Sequence, residues 1–281
     1  MEEPAHSLDP NSSDVSRSRW AIHLVILGAY PLVIGLLSFG VVSSGSEGGV
    51  TAPAEALLPP GTWQLFQALS FELVIFSAVF CLAWLFSRAR SEHLFLQWRG
   101  VFSPVLLGLA YSLMLRILIP LVFLILVAVV MLLKGGFLDP DVIEKIRPKT
   151  ETLIDFKAIA NDPVYLWMNL TYMSFLVAGL REELWRAAMF GGIAVLWPKQ
   201  FESPGGKTLA VLGVAVIFGL GHLSQGWGGV AQTTVLGVAL GIILLIRKSM
   251  WDAVFAHGFF NATTLLLLYL VGRLKPDLLP G

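Results

Sequence analysis

"VFSPVLLGLAYSLMLRILIPLVFLILVAVVMLL", Val101 to Leu133, carries a single charged side chain, Arg116. It runs well past the ~20 residues that a helix needs to cross a hydrocarbon core, so it reads as membrane-spanning. Comparable apolar runs occur at Trp20–Ser43, Trp63–Phe86, Tyr165–Trp197, Leu209–His222, Gly229–Ile246 and Met250–Val271. Composition agrees: of 281 residues 56% are hydrophobic and only 14% charged, and the mean hydropathy is +0.76. A bilayer offers no water to open backbone groups, and the alternating pattern of a membrane β-barrel is missing, so the expected class is all-α. We expect a polytopic transmembrane helix bundle of seven or eight spans, the count turning on whether Val101–Leu133, with Pro120 inside it, and Tyr165–Trp197 are single tilted helices or broken ones.

The remaining features fit one membrane domain. Residues 1–19 form a polar tail without the basic, apolar, small order of a cleaved signal peptide, so the first span is expected to act as an uncleaved anchor. Spans and loops fill 20–164, a motif-bearing stretch fills 165–272, and 273–281 is a short tail. The Gly/Ser/Pro/Ala-rich Ser43–Gly61 reads as a solvated loop, and no internal repeat stands out. Cys81 is the only cysteine, which leaves no internal disulfide and no thiolate metal cluster. Net charge is zero with no long basic block, which argues against nucleic acid as a partner. Arg17, Arg19, Arg88, Arg90, Arg99, Lys199, Lys207, Arg247 and Lys248 all fall where an N-terminus on the cytoplasmic side would place them inside.

Polar groups within such spans are costly, and each calls for a partner or a function. Glu72 and Arg116 are expected to neutralise each other across neighbouring spans, with Asp252, a turn from Lys248, and His23 expected near the interface. The other polar groups share a spacing. Glu182 and Arg186 in "REELWR", Phe218 and His222 in "FGLGH", and His257 and Asn261 in "HGFFN" are each i, i+4, so each pair lies on one helix face. Apolar surroundings drive those faces together in the bundle interior. A buried glutamate tends toward the range useful to a general base, a facing histidine can share a water with it, and a second histidine with an amide can donate to a developing oxyanion. That set describes amide hydrolysis by an activated water. No serine or cysteine stands in a nucleophile context, so covalent catalysis is disfavoured.

An acidic doublet followed by arginine, then F-x-x-x-H, then H-x-x-x-N on later helices resembles the CAAX prenyl protease and bacteriocin-processing (CPBP, or ABI) family of intramembrane glutamate proteases, over about Tyr165 to Thr264. The resemblance implies a membrane-embedded peptidase in which Glu182 and His222 activate water, His257 and Asn261 stabilise the oxyanion, Phe218 packs beside the site, and Glu183 and Arg186 position the base. The family writes E-E-x-x-x-R, whereas "EELWR" has one residue fewer between the doublet and the arginine. Glu182 is acidic in either register and is the preferred base. Glu183 lies about 100° round the helix from it, so only one of the two is expected to face the histidines.

The resemblance further implies a membrane-associated peptide or protein substrate within a lipid bilayer, and a bacterial plasma membrane. It implies no cofactor. The same glutamate and histidines would also suit zinc, which is the second mechanistic choice, although the helical H-E-x-x-H pattern is absent. A carrier or scaffold whose polar faces line a path is the non-enzymatic alternative. Substrate identity and oligomeric state are not written in the sequence.

Overall fold

A computed structural model of the chain describes residues 16–46, 57–137, 139, 142–143, 147–149 and 153–274. The expectations for the two tails and for most of the Ser43–Gly61 loop lie outside the described residues. Regular structure among those described is helical throughout. The long helices are α1 (Arg17–Ser46), α2 (Thr62–Ser87) and α3 (Ser103–Lys134). Two short helices follow, α4 (Phe156–Asn161) and α5 (Pro163–Met168), then α6 (Asn169–Arg181), which runs straight into α7 (Glu182–Leu196). The short α8 (Pro198–Glu202) leads into α9 (Pro204–Leu220), a single 3-10 turn at Leu223–Gln225, α10 (Gly226–Arg247) and α11 (Met250–Leu274).

Five of these segments are long and apolar enough to cross a membrane: Arg17–Val41, Thr62–Ser87, Ser103–Lys134, Leu223–Arg247 and Met250–Leu274. Their surface is what lipid requires. Ile117 is 72% exposed and Leu132 82%, an outer face of α3 that water would penalise and hydrocarbon does not. On α2, Cys81 points outward among Leu82, Trp84 and Leu85. This is an integral membrane protein.

The two other expected spans are of a different kind. Leu209–Leu220 belongs to α9, apolar but short, and His222 lies in the turn that follows it. Tyr165–Trp197 lies across α5, α6 and α7, which carry Arg181, Glu182, Glu183 and Arg186 between them and so do not count as an apolar helix. By length and apolarity five candidate spans stand among the described residues, and the expected seven or eight are not confirmed. The Val101–Leu133 segment is resolved in favour of one helix, since α3 continues through Pro120.

Local sequence sets the ends of the short helices. Asp155 caps α4, its carboxylate accepting from Lys157 N at 2.8 Å and Ala158 N at 3.0 Å. Asp162 caps α5 through Val164 N and also accepts the Thr62 hydroxyl at 2.6 Å, which ties α5 to the start of α2. That hydroxyl bond holds the Asp162 carboxyl below its usual range.

Helix packing follows small residues. A Cβ on Gly108 would collide with Phe255 and Ala256, so α3 and α11 cross in backbone contact there, and Gly35 of α1 meets Leu220 and Gly221 at the end of α9 in the same way. Two apolar clusters fill the interior. Trp20, Leu27, Trp185, Phe190, Phe218 and Leu240 belong to the larger, and Leu65, Leu69, Tyr165, Val177 and Leu265 to the smaller.

Three expectations about polar residues are corrected. Glu72 and Arg116 do not pair: Glu72 binds Arg181, while Arg116 donates to the Phe260 carbonyl and to the Thr263 and Thr264 hydroxyls on α11, with its guanidinium 5.0 Å from the Phe260 ring. Thr263 and Thr264 sit within reach on the neighbouring helix, and one arginine satisfies all three acceptors. Asp252 is fully buried rather than interfacial, accepting from Arg247 Nε at 3.0 Å. His23 is buried too, its ring nitrogens set 3.1 and 3.3 Å from the carbonyls of Ala83 and Ala188, where it joins α1 to α2 and α7.

Candidate active site

The polar cluster begins where the helix changes its winding. Over Asn169–Arg181 the backbone follows the wider i→i+5 pattern, with Ser174 Oγ donating to the Asn169 carbonyl at 2.7 Å, and ordinary α winding resumes at Glu182. Arg181 and the glutamate doublet therefore stand at the junction. Trp185 fixes the following turn against α1 by donating its indole N–H to the Leu27 carbonyl at 2.8 Å.

From that junction the two glutamates diverge and meet again. Glu183 is fully buried, pairs with Arg186 three residues on, and accepts from His257 Nδ1 at 3.0 Å. Glu182 faces a cavity. Its Oε1 accepts from Arg181 at 2.7 Å, and its Oε2 lies 3.8 Å from His257 Nε2 without a hydrogen bond from the protein. Both carboxylates thus approach one imidazole, Glu183 hydrogen-bonded to Nδ1 and Glu182 standing 3.8 Å from Nε2. The 100° between neighbours on a helix is absorbed by the ring, whose nitrogens point in different directions. The i, i+4 pairing of Glu182 with Arg186 is not formed. Arg186 goes to Glu183, and Arg181 takes Glu182.

Phe218 is the ring around which the site is packed. Arg186 stacks its guanidinium 4.5 Å from the ring centre. His222 meets the ring edge-on at 4.8 Å and His257 at 6.2 Å. His222 commits Nδ1 to the Phe218 carbonyl at 3.0 Å, which leaves Nε2 as the ring nitrogen for chemistry. His257 and Asn261, one turn apart on α11, both line the cavity.

The cavity holds about 280 Å³, far above the roughly 15 Å³ that one water needs. Glu182, Phe218, His222, His257 and Asn261 line it, whereas Glu183 and Arg186 stand behind His257 and Phe218. All seven residues singled out in the sequence therefore gather in one place. Residues the sequence did not single out also line it, namely Tyr30, Glu72, Arg181, Trp185, Gln225 and Gln232. Arg181 stood in the quoted motif, and Glu72 was assigned a different partner, but no spacing in the chain links α2 to α6. As for zinc, no three His, Cys, Asp or Glu side chains among the described residues come together as a metal-holding set.

An apolar helical bundle closed around a carboxylate, two imidazoles and an amide defines a polytopic membrane protein with a buried polar site. Residues 163–263 match the family model described as "Rce1-like: Type II CAAX prenyl endopeptidase Rce1-like". The match covers the stretch that carries the polar cluster and makes that part of the chain similar to a family of membrane peptidases. No curated protein and no solved structure matches the chain.

Proposed function

We propose that the protein is an intramembrane endopeptidase in which Glu182 and His222 activate a water against a peptide bond. The observation that carries this reading is the Glu182 carboxylate. One oxygen is anchored by Arg181, the other is buried and accepts nothing from the protein, and the residue lines the cavity shared with His222, His257 and Asn261. Glu182 takes a proton from water as its oxygen adds to the scissile carbonyl carbon. The resulting oxyanion receives hydrogen bonds from the Asn261 amide and from Nε2 of His257, which as an imidazolium donates through both ring nitrogens, Nδ1 to Glu183. The carbon–nitrogen bond then breaks, and the proton held by Glu182 passes to the leaving amine. Glu183 orients His257 through Nδ1, and Arg186 orients Glu183 while covering the Phe218 face. Asn261 and Glu182 project from separate helices that close on one cavity, as a two-sided attack on a carbonyl requires.

The test is cleavage of an S-farnesylated peptide ending in a CAAX sequence by the purified protein in lipid nanodiscs. Turnover is expected with the wild type, to fall by about 10²–10⁴-fold in Glu182→Gln and in His222→Ala, and to be indifferent to EDTA. Loss on chelation with recovery on added zinc would move the site to metal-assisted hydrolysis, with the same residues as ligands. Undiminished turnover in Glu182→Gln would remove the assignment of the base.

A further inference from the structure

The glutamate on which the hydrolase reading rests is held by a side chain that is itself held from elsewhere. Arg181 Nη2 donates to Glu182 Oε1 at 2.7 Å, and its Nη1 pairs with Glu72 on α2. Arg181 is only 11% exposed and Glu182 12%, so their bond is not a loose surface contact, while Glu72, 33% exposed, reaches the same guanidinium from a partly open position. A guanidinium is a planar fork of donors, and two carboxylates placed on its two terminal nitrogens fix its plane. With Arg181 fixed, Oε1 of Glu182 is fixed, and the carboxyl plane aims Oε2 past it toward His257 Nε2, 3.8 Å away. The groups around Glu182 come from every side of the cavity: Tyr30 from α1, Glu72 from α2, Arg181 and Glu183 from its own helix, His222 after α9, and His257 from α11. Among them, Arg181 is the side chain that hydrogen-bonds the carboxylate.

We infer that Glu72, through Arg181, is a positioning residue for Glu182, so that the N-terminal half of the chain supplies part of the catalytic geometry. Glu72 lies outside the family match at 163–263, and Arg181 comes one residue before the acidic doublet. The pair explains why an arginine and a glutamate occur in apolar helices at these positions. Their mutual neutralisation makes each tolerable in the membrane. Their shared partner gives the arrangement a use beyond neutralisation.

This inference rests on the hydrolase reading, and the experiment separates the two. Turnover of the S-farnesylated peptide is measured in nanodiscs for wild type, Glu72→Gln, Arg181→Gln and the double variant, with Glu72→Asp and Glu182→Gln alongside. If Glu72 acts through Arg181, Glu72→Gln lowers kcat by about 10-fold to 100-fold while KM changes little, because a small displacement of a reacting group is paid in rate rather than binding. The double variant is no worse than Arg181→Gln, since the two act in one chain, and Glu72→Asp recovers part of the loss. An inactive Glu182→Gln beside an unimpaired Glu72→Gln, losses that multiply in the double variant, or a change confined to KM overturns the inference and leaves the hydrolase reading standing. An active Glu182→Gln removes the hydrolase reading and this one with it. If the wild type does not turn over this peptide, thermal unfolding of Glu72→Gln, Glu182→Gln and their double variant decides: a non-additive cycle upholds the chain from Glu72 to Glu182, and an additive one overturns it.

Discussion

Glu182 and Glu183 are neighbours with the same functional group and opposite situations. Glu183 is sealed against Arg186 and His257, whereas Glu182 lines the cavity and keeps one oxygen without a partner from the protein. Replacing them should therefore fail differently. Glu183→Gln strands the Arg186 guanidinium in a fully buried place, and breaking a buried pair costs about 3–5 kcal/mol. A clear drop in melting temperature is expected, together with lost activity. Glu182→Gln should lose turnover with a smaller loss of stability, because Arg181 keeps Glu72 as a counter-ion. Thermal unfolding of the two variants side by side checks the contrast, and equal destabilisation would contradict it. At this scale spacing marks which residues gather around the cavity but not which of them pair. Arg186 stands i+4 from Glu182 and i+3 from Glu183, both permissible on a helix, so spacing alone could not choose. The choice is made by His257, which arrives from α11 and draws Glu183 inward.

Between elements, the site depends on how closely helices approach. His257 and Asn261 present one face of α11, as i, i+4 spacing implies, whereas His222 lies past the end of α9 in the turn before the 3-10 segment, so it and Phe218 reach the cavity without sharing one helix face. The wide winding of α6 was not legible, since i→i+5 hydrogen bonding leaves no periodic signature in so apolar a stretch. The α3–α11 crossing at Gly108 could be read only as a small residue in a span, without its partner. It has a measurable consequence. Gly108→Leu would drive a side chain into Phe255 and Ala256, directly before His257. Overpacking of this kind costs about 1–3 kcal/mol or more, so both the melting temperature and kcat should fall. Gly213→Ala on α9, where an added Cβ meets nothing within 4 Å, should leave both unchanged.

For the molecule as a whole, hydropathy was enough to read a helical membrane protein, because lipid constrains every backbone group at once and the apolar runs record that constraint directly. The number of crossings was less accessible. A segment that must both traverse the bundle and carry Arg181, Glu182, Glu183 and Arg186 is neither a plain span nor a plain loop, and its apolar length overstates its likeness to the others. The outward face of α2 offers an independent reading of where hydrocarbon lies. Its Cys81 is the chain's sole thiol, so a membrane-impermeant maleimide has one place to couple. In sealed liposomes that sulfur should stay unmodified from either side and then react to completion once dodecyl sulfate strips the lipid away, making it a native depth gauge that requires no engineered label.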